Sequence, residues 1–377
     1  MTDPLAQLPY VEGILTAEQV AATAASIVSM QEPCGAVPWS VGEHVDMWNH
    51  VEAAMAMLVG GQAEAAERAY AWMPSMQRED GSFPTKMVNG EVEDDRGDVN
   101  MTAYLAVGIW HHWLVRRDIA FVRTYWPSVR AALDWVVSQQ LPWGGINYTP
   151  TEDFALLTGS ASIYQSLRAG VALADLLDDP QPEWELVGGR LGHAVREHRD
   201  LFADKSAHSM DWYYPVLGGA VRGRAAFELL ESRWDDFVRP GLGILCVDTN
   251  PWVTGAETCE LAMALDTIGD HRRALALIKD MQHLREDDGR YWTGWVYGDE
   301  AEAGGEPRNV YWPVEYTTYT AAAVILAIDA LGEVAGHSTA GSGIMRGTSL
   351  APHFAELGLE CGCPSADGVS SVPGRTS

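Results

Sequence analysis

A chain of 377 residues with 47% hydrophobic content can bury a large core. Its formal net charge of −27 excludes partners that are held by Lys and Arg, namely nucleic acid and anionic membrane surfaces. The five cysteines, Cys34, Cys246, Cys259, Cys361 and Cys363, are scattered and odd in number, which excludes a paired zinc site and suits reduced thiols in the cytoplasm.

In chain order, the first helical run is predicted from Thr16, a suitable cap, to about residue 31, with a partner over 45–59. A second pair falls at 62–77 and 99–116, and a third at 118–140 and 159–178. The fourth couples 183–202 to a weaker element after Pro215, the fifth couples 224–238 to 256–268, and the sixth couples 270–286 to 317–335. First members such as Glu64-Ala-Ala-Glu-Arg carry charge at helical spacing, so one face is wet. Second members, such as Met101–Trp113 and Thr320–Leu331, are apolar nearly all round and belong in an interior ring. Six hairpins that cannot bury their own faces close into one all-α (α/α)6 toroid, overriding the two or three domains that length alone suggests. The N-terminus lacks a basic segment followed by an apolar run, and no stretch of about 18 uninterrupted apolar residues is present, so neither a signal peptide nor a membrane span is expected. The barrel is expected over 1–336. The small, polar, Gly-rich stretch 337–377 reads as a mostly flexible tail, with a short docking helix near 352–359.

The six connecting loops, near 32–45, 78–98, 141–158, 203–215, 239–256 and 287–316, would gather at one mouth. The last is long enough for a flap. Related phrases recur in them: Gln31-Glu-Pro-Cys-Gly35, Gln77-Arg-Glu-Asp-Gly-Ser-Phe83, Gln140-Leu-Pro-Trp-Gly144 and Arg285-Glu-Asp-Asp-Gly289. Because the loops precede the inner helices, residues in the first inner turns line the mouth. These are Asp46, Trp48, Asn49 and His50 in the first hairpin and Asp98 and Asn100 in the second. Asp211, Trp212 and Tyr213 belong to the fourth, Trp252, Glu257 and Glu260 to the fifth, and Trp292, Glu315, Tyr316 and Tyr319 to the sixth. Eight tryptophans lie in or beside these loops, Trp39 and Trp48 among them.

Carboxylates interleaved with aromatics are what a sugar site needs. Aromatic faces stack on pyranose rings, one carboxylic acid protonates the leaving oxygen, and a carboxylate activates water or attacks carbon. Each acid also has a plainer reading. Asp46 and Asp98 suit N-caps, Thr254-x-x-Glu257 matches a capping box, and His50, one turn after Asp46, is placed to hold it. Glu260, flanked by Cys259, Leu261 and Ala262, must be paired or carry a raised pKa, the property of a general acid. No cofactor or metal is expected. Asp94-Asp95-Arg96-Gly97-Asp98 has the count of a diphosphate-binding DDxxD motif, but with a glycine inside a loop.

The six-hairpin layout resembles the (α/α)6 glycoside hydrolases such as glucoamylases. The strings Asp46-Met-Trp-Asn-His-Val-Glu52, Trp110-His-His-Trp113, Asp211-Trp-Tyr-Tyr-Pro-Val216, Pro251-Trp-Val-Thr-Gly-Ala-Glu-Thr-Cys-Glu260 and Asp288-Gly-Arg-Tyr-Trp-Thr-Gly294 resemble an actinobacterial family over residues 10–335. That family is often labelled prenyltransferase-like and includes the methylmannose polysaccharide hydrolase of mycobacteria, an endo-acting α-1,4-mannosidase. The resemblance implies a catalytic pair across the mouth, with Asp46 as base and Glu257 or Glu260 as acid, Glu260 being favoured. By analogy it also implies inversion, on an oligo- or polysaccharide substrate. The alternatives are an isoprenoid cyclase or prenyltransferase on the same barrel, a non-catalytic glycan-binding toroid, and a sugar epimerase. The residues read nothing about oligomeric state.

Overall fold

The computed structural model describes residues 8–298 and 309–355. The first hairpin is α1 (Ala17–Met30) and α2 (Met47–Val59). The second is α3 (Ala63–Trp72) with α4 (Val99–Ala103) and α5 (Leu105–Arg116). The third is α6 (Ile119–Val137) and α7 (Leu157–Leu177), and the fourth is α8 (Pro182–Glu197) and α9 (Ser209–Leu217). The fifth couples α10 (Gly223–Ser232) and α11 (Trp234–Phe237) to α12 (Gly255–Thr267), and the sixth couples α13 (His271–Asp280) to α14 (Thr318–Gly332). Helices α2, α5, α7, α9, α12 and α14 contact one another in that order, and α14 meets α2 again, which closes the ring. Burial follows the expected division. Every residue of α14 is buried, whereas α13 buries only Ala274, Leu277 and Ile278. The segment Thr318–Ala335 is long and apolar enough to cross a membrane by composition alone, but 83% of it is buried inside the ring.

The repeated Gln-x-x-x-Gly phrase is a latch between hairpins. The Nε2 of Gln31 donates to the carbonyls of Gly35 and, on α3, Ala65, both at 3.0 Å. Gln77 does the same to Gly81 and, on α6, Ser128, both at 2.9 Å; Gln140 does so to Gly144 and, on α8, Val187, both at 3.0 Å. Each glycine adopts positive φ and lies against the backbone of the next outer helix. A Cβ on Gly81 would stand 2.2 Å from the Ala131 carbonyl oxygen. The fourth phrase completes the circuit, since Gly289 packs on the backbone of Ala22 and Thr23 in α1.

Three expectations need correction. The fourth inner helix does not follow Pro215. It starts at Ser209 and contains that proline, so Trp212, Tyr213 and Tyr214 are helical and not in a loop. The described parts of 287–316 do not form a free flap. They supply β6 (Gly294–Val296) and β7 (Val310–Tyr311) to an antiparallel sheet with β3 (Val238–Arg239), β4 (Gly243–Leu245) and β5 (Trp252–Thr254), and residues 299–308 lie outside the described part. A separate hairpin, β1 (Lys86–Val88) and β2 (Glu91–Asp94), decorates the second loop. Finally, 337–355 is packed, not flexible. Ile344, Met345 and Phe354 are buried, the Gln165 amide donates to the Ile344 carbonyl at 3.1 Å, and Asp329 accepts from the Thr339 hydroxyl at 2.7 Å. Small polar residues dominate the composition there, but a few apolar anchors and the polar ends of inner helices hold the chain. Residues 356–377, the rest of the expected tail, lie outside the described residues.

Candidate active site

The inner-helix N-termini carry the acids, as the loop order requires. Asp46 caps α2, its Oδ1 accepting from the Asn49 N–H at 3.0 Å, while its Oδ2 faces the Asn49 amide and, at 3.4 Å, His44 Nε2. Asp98 caps α4 through the Met101 N–H at 3.0 Å. Both are buried caps at the mouth, so the capping and functional readings coincide. Burial pushes the Asp98 carboxyl up to about 7, and the nearby charge of Asp46 adds to that.

A deeper layer lies below them. Glu52, six residues into α2, accepts from Trp48 Nε1 and from the Tyr104 hydroxyl, both at 2.9 Å. Burial pushes its carboxyl up to about 7; the two hydrogen bonds oppose this and the charge of Asp46 supports it. Glu260 on α12 accepts from three phenols: Tyr213, Tyr214 at 3.2 Å and Tyr319 at 2.8 Å. Burial holds it well above the usual carboxylate range, and the charges of Glu52 and Glu257 push in the same direction. Glu52 thus interacts with both Asp46 and Glu260. Trp48 bridges the same gap, its ring lying 5.7 Å from Tyr104 and 5.5 Å from Tyr214. The two ends of a chain segment of more than two hundred residues converge on one floor. Glu257 belongs to the same cluster, where it accepts from the Cys246 thiol. Its predicted capping box is not made, because the Thr254 hydroxyl caps nothing and has no partner.

Beside these acids lies a cavity of about 110 Å³ lined by Trp48, Asp98, Asn100, Asn147, Ser160 and the apolar Met101, Ile146, Leu156, Ile163 and Met210. Asn100 Oδ1, Asn147 Oδ1 and Ser160 Oγ are buried there with no hydrogen-bond partner. A buried polar atom left unpaired is costly, so these three await hydroxyls or water. At the rim Trp39 packs on His44 and Tyr319, and its Nε1 donates to Glu315 at 3.1 Å.

Other candidates fall elsewhere. His50 faces outward, with Nδ1 accepting from the Val37 N–H and Nε2 donating to the Ala69 carbonyl, both at 3.1 Å; neither nitrogen is left to hold Asp46 or a ligand. Trp212 is buried against Phe237 and donates to the Leu229 carbonyl at 2.9 Å, so it packs the fifth hairpin. Tyr213, its neighbour, turns inward to Glu260. Asp211 accepts from the Thr158 hydroxyl at 2.6 Å and borders a separate cleft of about 370 Å³. Trp292 and Tyr316 pack with centroids 4.0 Å apart and rings tilted by 34° on the sixth loop, with Arg290 over the Tyr316 ring, and Trp252 meets the exposed Trp312. The DDxxD-like run is spent on ion pairs, Asp94 with Arg96 at 2.7 Å and Asp95 with Arg78. Sequence reasoning passed over Glu52 and Tyr104. A lone carboxylate in the otherwise uncharged, mostly apolar α2 was the available signal.

The chain is 50% identical over 371 residues, 97% of its own length and 99% of the relative's, to the MMP endo-(1,4)-3-O-methyl-alpha-D-mannosidase of Mycolicibacterium hassiacum. The chain belongs to that endomannosidase family. No family model matches it. Solved structures agree on the fold. A glycosidase variant in complex with glucose superposes with a TM-score of 0.65 at 13% identity, covering 84% of this chain and 96% of that one. The GH63 mannosylglycerate hydrolase of Thermus thermophilus gives 0.60 at 14% identity, covering 81% and 99%. These identities speak for the six-hairpin fold alone.

Proposed function

We propose that this member of the family is an endo-acting hydrolase of α-1,4-mannosidic bonds in a 3-O-methylmannose polysaccharide, working with inversion. The observation that carries the mechanism is Asp46 at the mouth above the interacting pair Glu52 and Glu260, beside a cavity whose polar atoms lack partners. Glu260, whose carboxyl burial raises well above the ordinary carboxylate range, is assigned as the general acid. Asp46, fixed at the mouth by Asn49 and His44, is assigned as the base that takes a proton from water attacking the anomeric carbon. In the single displacement the C–O bond breaks as the water oxygen bonds to carbon, and the Glu260 proton goes to the leaving oxygen. Trp39 and Trp48 offer stacking faces, while Asn100, Asn147 and Ser160 offer partners to sugar hydroxyls. An isoprenoid cavity would have no use for such unpaired amides. Cys34, Cys246 and Cys259 are free thiols, in keeping with a reducing cytoplasm.

The decisive experiment incubates the protein with methylated mannans, unmodified α-mannans and α-glucans, with and without chelator, and follows the products over time by chromatography and NMR. Internal cleavage of the methylated mannan, insensitive to chelator, with first-formed β-anomer, is expected. Turnover of polyprenyl diphosphates with magnesium alone would overturn the assignment.

A further inference from the structure

At the end of the barrel opposite the mouth, a second cavity of about 140 Å³ is roofed by the docked 337–355 segment. By volume it has room for a small ion. Arg168, Arg222, Arg346 and His353 line it. Arg346 is neutralised by Asp266 at 2.6 Å and Glu333 at 2.9 Å. Arg168 and Arg222 have no carboxylate within ion-pair distance among the described residues, in a protein of net charge −27.

Arg168 is 2% exposed. Its Nε donates to the Ala351 carbonyl at 2.8 Å and its Nη2 to that of Gly347 at 3.1 Å, but its Nη1 is buried without a partner. The space in front of Nη1 is kept clear by two glycines. A Cβ on Gly219 would stand 3.2 Å from that nitrogen and 3.3 Å from His353 Cε1, and one on Gly347 would stand 3.5 Å from it. Both glycines have positive φ, +84° and +68°, so the turns themselves also favour glycine. Besides burial, the guanidinium groups of Arg168, Arg222 and Arg196 push His353 down to about 4. A buried, uncompensated guanidinium is costly and calls for an anion with matching acceptors.

We propose that this basal cavity is a phosphate site, taking inorganic phosphate or the phosphoryl group of a small ester between Arg168 Nη1 and Arg222. A dianion balances two guanidinium groups that have no carboxylate partner among the described residues, and its oxygens can accept from Arg168 Nη1 and from the remaining N–H groups of Arg222. The site is distinct from the catalytic cavity. Helix α7 reaches both, with Ser160 in one and Arg168 in the other, about 12 Å apart along the helix axis by its rise per residue.

The test titrates inorganic phosphate into the full chain by calorimetry and by thermal unfolding, against sodium chloride of equal ionic strength. A saturable heat and a phosphate-specific rise in Tm are expected, because a ligand that binds only the folded state stabilises it. Arg222 is exposed at the cavity edge, so Arg222→Glu leaves folding intact and is expected to weaken binding at least tenfold. Arg168→Lys, which keeps the charge but removes the Nη1 donor, is expected to weaken it as well. No saturable binding to the wild-type protein, or equal binding by both variants, overturns the proposal.

Discussion

Single residues carry the mechanism, and the two candidate acids on α12 are separable by experiment. Glu260→Gln and Asp46→Asn are each expected to lower kcat by about a hundred- to ten-thousand-fold, with an unchanged circular-dichroism spectrum. Glu257→Gln is expected to cost less than about tenfold if Glu260 holds the proton, and the reverse ranking would transfer the role of acid to Glu257. Glu52 yields two further expectations. Its folded-state carboxyl stands at about 7 against 4.5 ordinarily. Between those values the unfolded chain releases the proton and the folded chain keeps it, so stability falls as pH rises through this window. The full loss is on the order of 3 kcal/mol, and Glu52→Gln should flatten that part of a Tm-versus-pH curve. The negative charge of Glu52 also helps hold the Glu260 proton, so the same substitution should move the alkaline limb of kcat to lower pH. The positions of Asp46, Asp98 and Glu260 were legible in the sequence because the loop order puts inner-helix starts at the mouth and a carboxylate among apolar neighbours on an inner helix is buried. His50 and Trp212 were misread because residue type was weighed without helix face: one turn after Asp46 the α2 surface already looks toward the outer ring.

Helices and loops explain the repeat that first marked the chain. The Gln-x-x-x-Gly phrases suggest prenyltransferase chemistry only by resemblance; in the fold their amides and glycines tie each loop to the next outer helix. Removing one amide leaves two carbonyls short of a donor. Gln77→Ala is expected to destabilise by about 1–3 kcal/mol in urea denaturation, with kcat nearly unchanged. Gly81→Ala should cost more, because strain at φ +95° adds to the clash with the Ala131 carbonyl. Periodicity revealed the long helices, which bury a continuous stripe. It missed the start of α9 because Pro215 was taken as a boundary, although a short helix can carry a proline when packing against α7 and α12 holds it. The five-stranded sheet was not legible either, since its strands are two or three residues long and too short to show alternation.

For the molecule as a whole, the ring is closed at two levels. Inner helix α14 returns to α2, and the Gly289 turn returns to α1. A third closure lies at the base, where composition had suggested only a tail. There the Trp110 indole donates to the Ser349 carbonyl at 2.5 Å, Arg168 holds Gly347 and Ala351, Asp329 holds Thr339, and the Phe354 ring stands edge-on to Tyr164 at 5.3 Å. These partners come from α5, α7 and α14, three inner helices whose C-terminal ends would otherwise face water with buried polar groups unpaired. A chain stopped after Gly336 would lose them together and expose Ile344's and Phe354's former neighbours. It is therefore expected to melt more than about 5 °C below the full-length protein, each kcal/mol being worth roughly 2–4 °C in a chain of this class, and to bind a hydrophobic dye before its main transition. The mouth lies at the other end of the same helices, so chemistry at Asp46 and Glu260 should persist at temperatures where the shortened barrel is still folded. An equal Tm for both proteins would mean that the docked segment is an ornament on a barrel already complete at residue 336.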